Sequence, residues 1–208
     1  MSKTTLLLVR HGQSLGNAQR ILLGHTDWDL SGLGYEQAEV CAAALAERKI
    51  DAVYSSDLIR AYHTALPHAR RRGIEVIKRR ELREVYLGEW ECRSVTDISE
   101  NEPDEYYIAW KQHFATFRPR GGESTPELAE RIFGALSAVA EENVGKTVLV
   151  AFHAAAIRSF YSKISGYTED ETNATLFPAN ASYTVVEYEN GHFTPVAYSV
   201  GDYLEQNG

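Results

Sequence analysis

Two of the chain's seven histidines close apolar runs: His11 follows Leu6-Leu7-Leu8-Val9-Arg10, and His153 follows Thr147-Val148-Leu149-Val150-Ala151-Phe152. Strands buried on both faces read as continuous apolar runs, and open α/β sheets bind ligands just beyond the carboxyl ends of such strands. An imidazole placed there can serve as a nucleophile, a proton carrier or a metal ligand. Around His11 the neighbours favour an anion. Arg10 brings a planar, permanently charged donor fork, and Gly12 has no side chain to keep backbone N–H groups away from a phosphate. Arg60 falls in the first turn of a helix, where the macrodipole disfavours a cation. It is therefore either solvated or paired with an anion that the helix end also attracts. Glu84 lies in the loop Leu82-Arg83-Glu84-Val85-Tyr86-Leu87-Gly88-Glu89-Trp90. Enclosure by its apolar neighbours would raise its pKa and suit it to general acid work; otherwise it is an ordinary surface glutamate. Neither strand-end histidine has a second ligand at a recognisable metal spacing, so no metal or other cofactor is expected.

The elements that must position these groups follow from the hydrophobic pattern. The opening strand leads through a loop at residues 24–30 to a helix capped by Ser31 and running to about Lys49. Its stripe Ala38, Cys41, Ala42 and Leu45 turns Cys41 to the core. Asp51 to Ser55 reads as a second strand. Ser56 or Asp57 can cap the next helix, which carries Leu58, Ala61, Ala65 and Leu66 on one face until Pro67 kinks or ends it. Glu75 to Lys78 is a short strand. Residues 94–117, with Tyr106, Tyr107, Trp110, Phe114 and Phe117, read as a helical insertion where a specificity surface could sit. A helix from about Thr125 to Asn143 follows, then the strand into His153 and another helix. Asn190-Gly191 between two alternating runs signals a type I′ hairpin. If the two histidine-ending strands are neighbours, His11 and His153 share one crevice, with His25 the one other histidine placed near it.

Composition bounds the partners. A chain of 208 residues, 44% hydrophobic and 24% charged, suits one α/β domain spanning residues 1–208. No apolar run approaches the ~20 residues of a membrane span, and no secretory segment follows Met1-Ser2-Lys3, so the cytoplasm is the expected location. Two cysteines without metal or redox spacing fit a reducing compartment. A formal net charge of −8 argues against nucleic acid and anionic membranes as partners. It also means that an anionic substrate must meet its own local cations. The clusters Arg70-Arg71-Arg72 and Lys78-Arg79-Arg80 read as solvated faces or helix-end charges rather than that supply. No oligomeric state is assigned.

The ordered set of motifs resembles the histidine phosphatase superfamily, the phosphoglycerate-mutase-like fold, from about Thr4 to Ser199. It comprises Arg10-His11-Gly12 with Asn17, Ser55-Ser56-Asp57-Leu58-Ile59-Arg60-Ala61 with Thr64-Ala65, Leu82-Arg83-Glu84 with Gly88 and Trp90, Gly122-Glu123-Ser124, and the strand into His153. The resemblance implies a three-layer α/β/α fold around a mostly parallel sheet. It implies His11 as the nucleophile that forms a phosphohistidine, with Arg10, Arg60 and a protonated His153 on the phosphoryl oxygens. Glu84 would be the proton donor and then the base. Asn17, Gly24, Gly12 and Ala154 would line the substrate side. Two departures stand out. Phe152 and Ala154 flank the second histidine where the family usually has a small hydroxyl residue and glycine, and Cys92 stands where it often has glycine. The expected activity is hydrolysis of a small phosphate monoester. A mutase of the family would need a larger basic insertion than Glu102 to Phe117 provides, and a non-catalytic phospholigand-binding module would not require His11, Glu84 and His153 together.

Overall fold

The computed structural model describes residues 2–102, 108 and 111–207. Its centre is one six-stranded sheet built from β1 (Thr4–Arg10), β2 (Ala52–Ser56), β3 (Val76–Arg79), β4 (Thr147–Phe152), β5 (Tyr183–Glu189) and β6 (His192–Val200) in the order β3-β2-β4-β1-β5-β6. The first four strands pair in parallel, and β5 and β6 add an antiparallel edge. Asn190 and Gly191 both take positive φ, 52° and 82°, as the two central positions of a type I′ turn require.

The two apolar runs are central strands. Leu6 and Leu8 with Val148, Val150 and Phe152 face one core, beneath α5 (Thr125–Glu142) and α6 (Ala154–Ser165). Leu7 and Val9 with Leu149 and Ala151 face the other, beneath α2 (Gly32–Ala44) and α3 (Ile59–Arg70). The period-2 alternation of strand side chains thus fills both helical layers from continuous apolar runs. Smaller helices α1 (Leu15–Gln19), α4 (Val95–Asn101) and α7 (Glu169–Ala174) lie in the connections.

Several local expectations change. Helix α2 has its Ser31 cap and a core-facing Cys41, but it ends at Ala44 rather than near Lys49, and Arg72 donates to the Leu45 and Arg48 carbonyls beyond it. Helix α3 continues through Pro67 to Arg70. Its start is not capped by Asp57, which is held instead by the Arg83 guanidinium through two bonds of 2.8 and 2.7 Å. Asp27, from a distant loop, accepts from the Ile59 N–H at 2.7 Å, and Ser56 Oγ accepts from Leu58 N–H. The basic clusters are helix-end and surface groups, with Arg71 on Glu39 and Arg79 on Glu142. In the insertion, Phe114 and Phe117 are buried packing residues, whereas Tyr106, Tyr107 and Trp110 lie outside the described residues. Cys92 has φ of 62°, a left-handed conformation that explains why glycine suits this position.

Candidate active site

Because β1 and β4 are parallel neighbours with Arg10 opposite Phe152, the next residue of each strand emerges at the same level. The His11 N–H donates to the Phe152 carbonyl at 2.9 Å, and the two imidazole centroids stand 5.3 Å apart with their planes at 60°. Both rings line one end of the sheet, as the strand pattern predicts.

His11 is 5% exposed and lines a cavity of about 250 Å³ with Arg10, Arg60 and Glu84. Its Nδ1 lies 2.7 Å from the Gly12 carbonyl, which can only accept, so Nδ1 carries the proton and Nε2 holds the lone pair. Burial, reinforced by the charges of Arg60 and Arg10, pushes its pKa well below the ordinary histidine value. The ring is therefore neutral and nucleophilic at neutral pH. Asn180 donates to the His11 carbonyl and to Asn17 Oδ1, which fixes the following turn.

Arg60 is 2% exposed, which removes the solvated alternative. Its two terminal nitrogens donate to the carbonyls of Thr26 at 2.9 Å and Gly24 at 2.7 Å, so no carboxylate neutralises it directly. Burial lowers its pKa to about 10, which still leaves it charged at neutral pH. Arg10 donates to the Pro178 carbonyl at 2.6 Å, and its Nε is buried without a protein partner.

His153 departs from expectation. It is fully buried, both ring nitrogens are without a hydrogen-bond partner, and burial together with the charge of Arg60 holds its pKa well below the usual value. The ring is neutral here rather than protonated. Desolvation in an arginine-rich pocket outweighs any gain from carrying charge. Phe152 beside it is buried in the core cluster, and Ala154 begins α6 and lines the cavity.

Gly12 is also corrected. Its amide donates to Thr64 Oγ1 at 3.0 Å, and it is not among the residues lining the cavity. A Cβ there would stand 2.3 Å from the Gly34 carbonyl oxygen, so the glycine lets α2 pack against the strand end rather than opening an approach to phosphate. Asn17 and Gly24 do line the cavity.

Glu84 is held by the helix that follows His153. Its carboxylate oxygens accept from Ala155 and Ala156 N–H, both at 3.1 Å, and from its neighbour Val85 N–H at 3.0 Å. It thus occupies the N-terminal end of α6, where orphan amides and the dipole favour an anion. Of the two readings open from sequence, apolar enclosure and an ordinary surface position, neither describes this hydrogen-bonded seat. The supporting groups come from far in sequence. Arg131 donates to the carbonyls of Glu81, Arg83 and Glu84, is itself paired with Glu123 of the Gly122-Glu123-Ser124 motif, and is joined on the Glu84 carbonyl by His25 Nε2. Sequence reading did not find Arg131, Asp27, Thr64 or Asn180. None of them sits at a strand end or in a distinctive spacing, although Thr64 and Glu123 belonged to motifs whose role was open. Among the described residues, no group of three or more His, Cys, Asp or Glu could hold a metal ion.

Two strongly positive, desolvated guanidinium groups, a neutral imidazole with a fixed tautomer, a second imidazole with free nitrogens and a seated carboxyl group suit phosphoryl transfer. Known proteins agree in kind. The sequence model described as "Histidine phosphatase superfamily (branch 1)" matches residues 6–200. Phosphoserine phosphatase 1 of Hydrogenobacter thermophilus is 34% identical over 185 residues, 88% of this chain and 86% of that protein. A metal-independent phosphoserine phosphatase of Arabidopsis thaliana is 33% identical over 207 residues, 99% of this chain and 85% of that protein. A mycobacterial glucosyl-3-phosphoglycerate phosphatase solved with VO3 superposes with a TM-score of 0.87 at 27% identity, covering 95% of this chain and 99% of that one.

Proposed function

The chain belongs to the histidine phosphatase superfamily, and from that premise we propose a residue-level mechanism in which it hydrolyses small phosphate monoesters through a phosphohistidine on His11. It is a phosphomonoester hydrolase, as its phosphatase relatives indicate. The observation that carries the mechanism is the fixed tautomer of His11. With Nδ1 committed to the Gly12 carbonyl, Nε2 is the nitrogen available for attack.

In the first displacement Nε2 bonds to phosphorus and the ester oxygen leaves, taking a proton from the protonated form of Glu84. Arg10, Arg60 and one N–H of the neutral His153 hold the equatorial oxygens, over which charge is spread in a loose transition state. In the second, Glu84 as carboxylate takes a proton from water. The water oxygen bonds to phosphorus, and Nε2 leaves as a neutral imidazole. Covalent catalysis so divides one difficult hydrolysis into two displacements. The single six-stranded sheet supports reading the chain as one catalytic domain. The cytoplasm is the proposed location, supported by two free cysteines, Cys41 and Cys92. No helix among the described residues is long and apolar enough to cross a membrane.

The test is phosphate release from p-nitrophenyl phosphate and a panel of metabolite monoesters, with chelator present, by wild type and His11→Ala. Turnover is expected to fall by at least about a thousandfold in the variant. An acid-labile phosphoryl group should be trapped on the His11 peptide of the wild type. Release that survives the substitution would sink the nucleophile assignment. Transfer between phosphoglycerates without release would indicate a mutase, and binding without turnover a non-catalytic module.

A further inference from the structure

The cavity has two chemically distinct halves. Its floor is charged and is used by the phosphoryl group: Arg10, His11, Arg60 and Glu84. Its walls are Ile21, Leu22, Leu23, Val85, Leu87 and Phe177. Ser14 and Asn17 add polar atoms, and their side-chain oxygens accept from each other's amides. Ser14 Oγ accepts from the Asn17 N–H, and Asn17 Oδ1 accepts from the Ser14 N–H.

Beyond Arg10 and Arg60, no lysine or arginine lines the cavity among the described residues. Of the guanidinium groups outside the cavity, Arg83 is paired with Asp57, Arg131 with Glu123, and Arg93 with Asp97. The residues of the insertion outside the described set, 103–107, 109 and 110, include no Lys, Arg or His. A substrate with a second anionic group would therefore bring a carboxylate or phosphate against apolar walls in a chain of net charge −8. Burying such a charge without a partner is strongly disfavoured.

Phe177 is the most distinctive wall residue. It remains 42% exposed, yet its ring is held in place. The Arg158 guanidinium lies 4.5 Å from its centroid and 4.0 Å from that of Phe114, and the two phenyl rings meet edge to face at 5.3 Å. Arg158 is in turn tied to the Thr172 and Asn173 carbonyls at 2.8 and 3.0 Å. A large aromatic surface held at a cavity wall binds an apolar body at little entropic cost.

We propose that the leaving group of the physiological substrate is an uncharged alcohol with an apolar body, alkyl or aryl, and that Phe177 is a specificity-determining residue for it. This rests on the phosphomonoesterase reading with His11 as nucleophile. It deepens that reading by separating this chain from relatives whose names specify phosphoserine or a phosphoglycerate.

The experiment compares kcat/KM for methyl, ethyl, butyl and hexyl phosphate with that for phosphoserine and 3-phosphoglycerate. Alkyl leaving groups differ little in basicity, so the chemical step is held constant and the series reads the walls alone. Each methylene that enters the pocket should raise kcat/KM by up to about fourfold until the walls are filled. Phosphoserine and 3-phosphoglycerate should fall at least about tenfold below butyl phosphate. Phe177→Ala should remove most of the gain for butyl and hexyl phosphate and cost methyl phosphate far less, a chain-length-dependent pattern that general loss of folding would not produce. A flat series, or a preference for either acidic ester, overturns the proposal. Calorimetric binding of the same esters to His11→Ala separates the two readings. Chain-length-dependent affinity without hydrolysis by wild type overturns the catalytic reading and upholds the walls, whereas hydrolysis without a chain-length gain overturns the walls alone.

Discussion

His11 and His153 stand one residue past the ends of neighbouring parallel strands, and both are buried and neutral, yet their partners differ completely. His11 has a carbonyl on Nδ1 at 2.7 Å, which selects one tautomer and leaves a lone pair on Nε2. His153 has no hydrogen bond at either nitrogen and precedes a helix whose Ala155 and Ala156 amides are taken by Glu84. In the proposed mechanism the first ring forms a bond, while the second donates to the phosphoryl group. Equivalent places on the sheet therefore do not confer equivalent roles; the group behind each ring does.

The comparison is sharpened most by His153→Ala. If this ring only holds phosphoryl oxygens, kcat/KM should fall by about 10²- to 10³-fold, and phosphohistidine should still be trapped on His11. Loss of the trapped intermediate would erase the distinction between the two rings. Glu84→Gln comes next. It should slow alkyl esters by about 10²-fold and p-nitrophenyl phosphate by much less, because a good leaving group needs little protonation. Equal losses on both would remove Glu84 as the acid.

The smallest effect uses a third buried histidine as a control. His68 in α3 is fully buried, its ring nitrogens are also without partners, and burial lowers its pKa to about 3. Between its unfolded value near 6.5 and about 3, the unfolded chain binds a proton that the folded protein does not. Stability contributed by this group is present above that window and is lost as pH falls through it. His68→Leu should flatten the fall in unfolding free energy by up to about 1.4 kcal/mol per pH unit in that range, measured by denaturant titration. Activity at neutral pH should not change. A loss of activity would mean that His68 is coupled to the other two; unchanged activity with the flattened slope shows that burial, helped by the charges of Arg72 and Arg71, depresses basicity away from the cavity as well.

Much of this was legible in residue patterns. The apolar runs became the central strands, Asn190-Gly191 became the hairpin turn, and Ser31 became a helix cap. These are signals that act within a few residues. The misreadings share one cause, which is a partner far along the chain. Gly12 suits a phosphate loop in sequence, but its N–H is taken by Thr64 Oγ1 and its missing side chain makes room for the Gly34 carbonyl. Asp57 looked like the cap of α3 until Arg83 claimed it and Asp27 took its place. His153 was expected to be protonated because phosphate chemistry wants charge, whereas its full burial beside Arg60 pushes its pKa the other way.

Sequence by itself determined the sheet-forming runs, the helix stripes and the set of reactive side chains, because side-chain period and chemical type are written residue by residue. Tertiary structure alone decided which nitrogen of His11 is free, that Glu84 sits on the amides of α6, and that the cavity beyond the cations is apolar. Those properties depend on desolvation and on hydrogen bonds between segments far apart in sequence, 71 residues from Glu84 to Ala155 and 168 from Arg10 to Pro178. No local pattern encodes them, because the energy of each contact exists only once the strands have placed its two ends together.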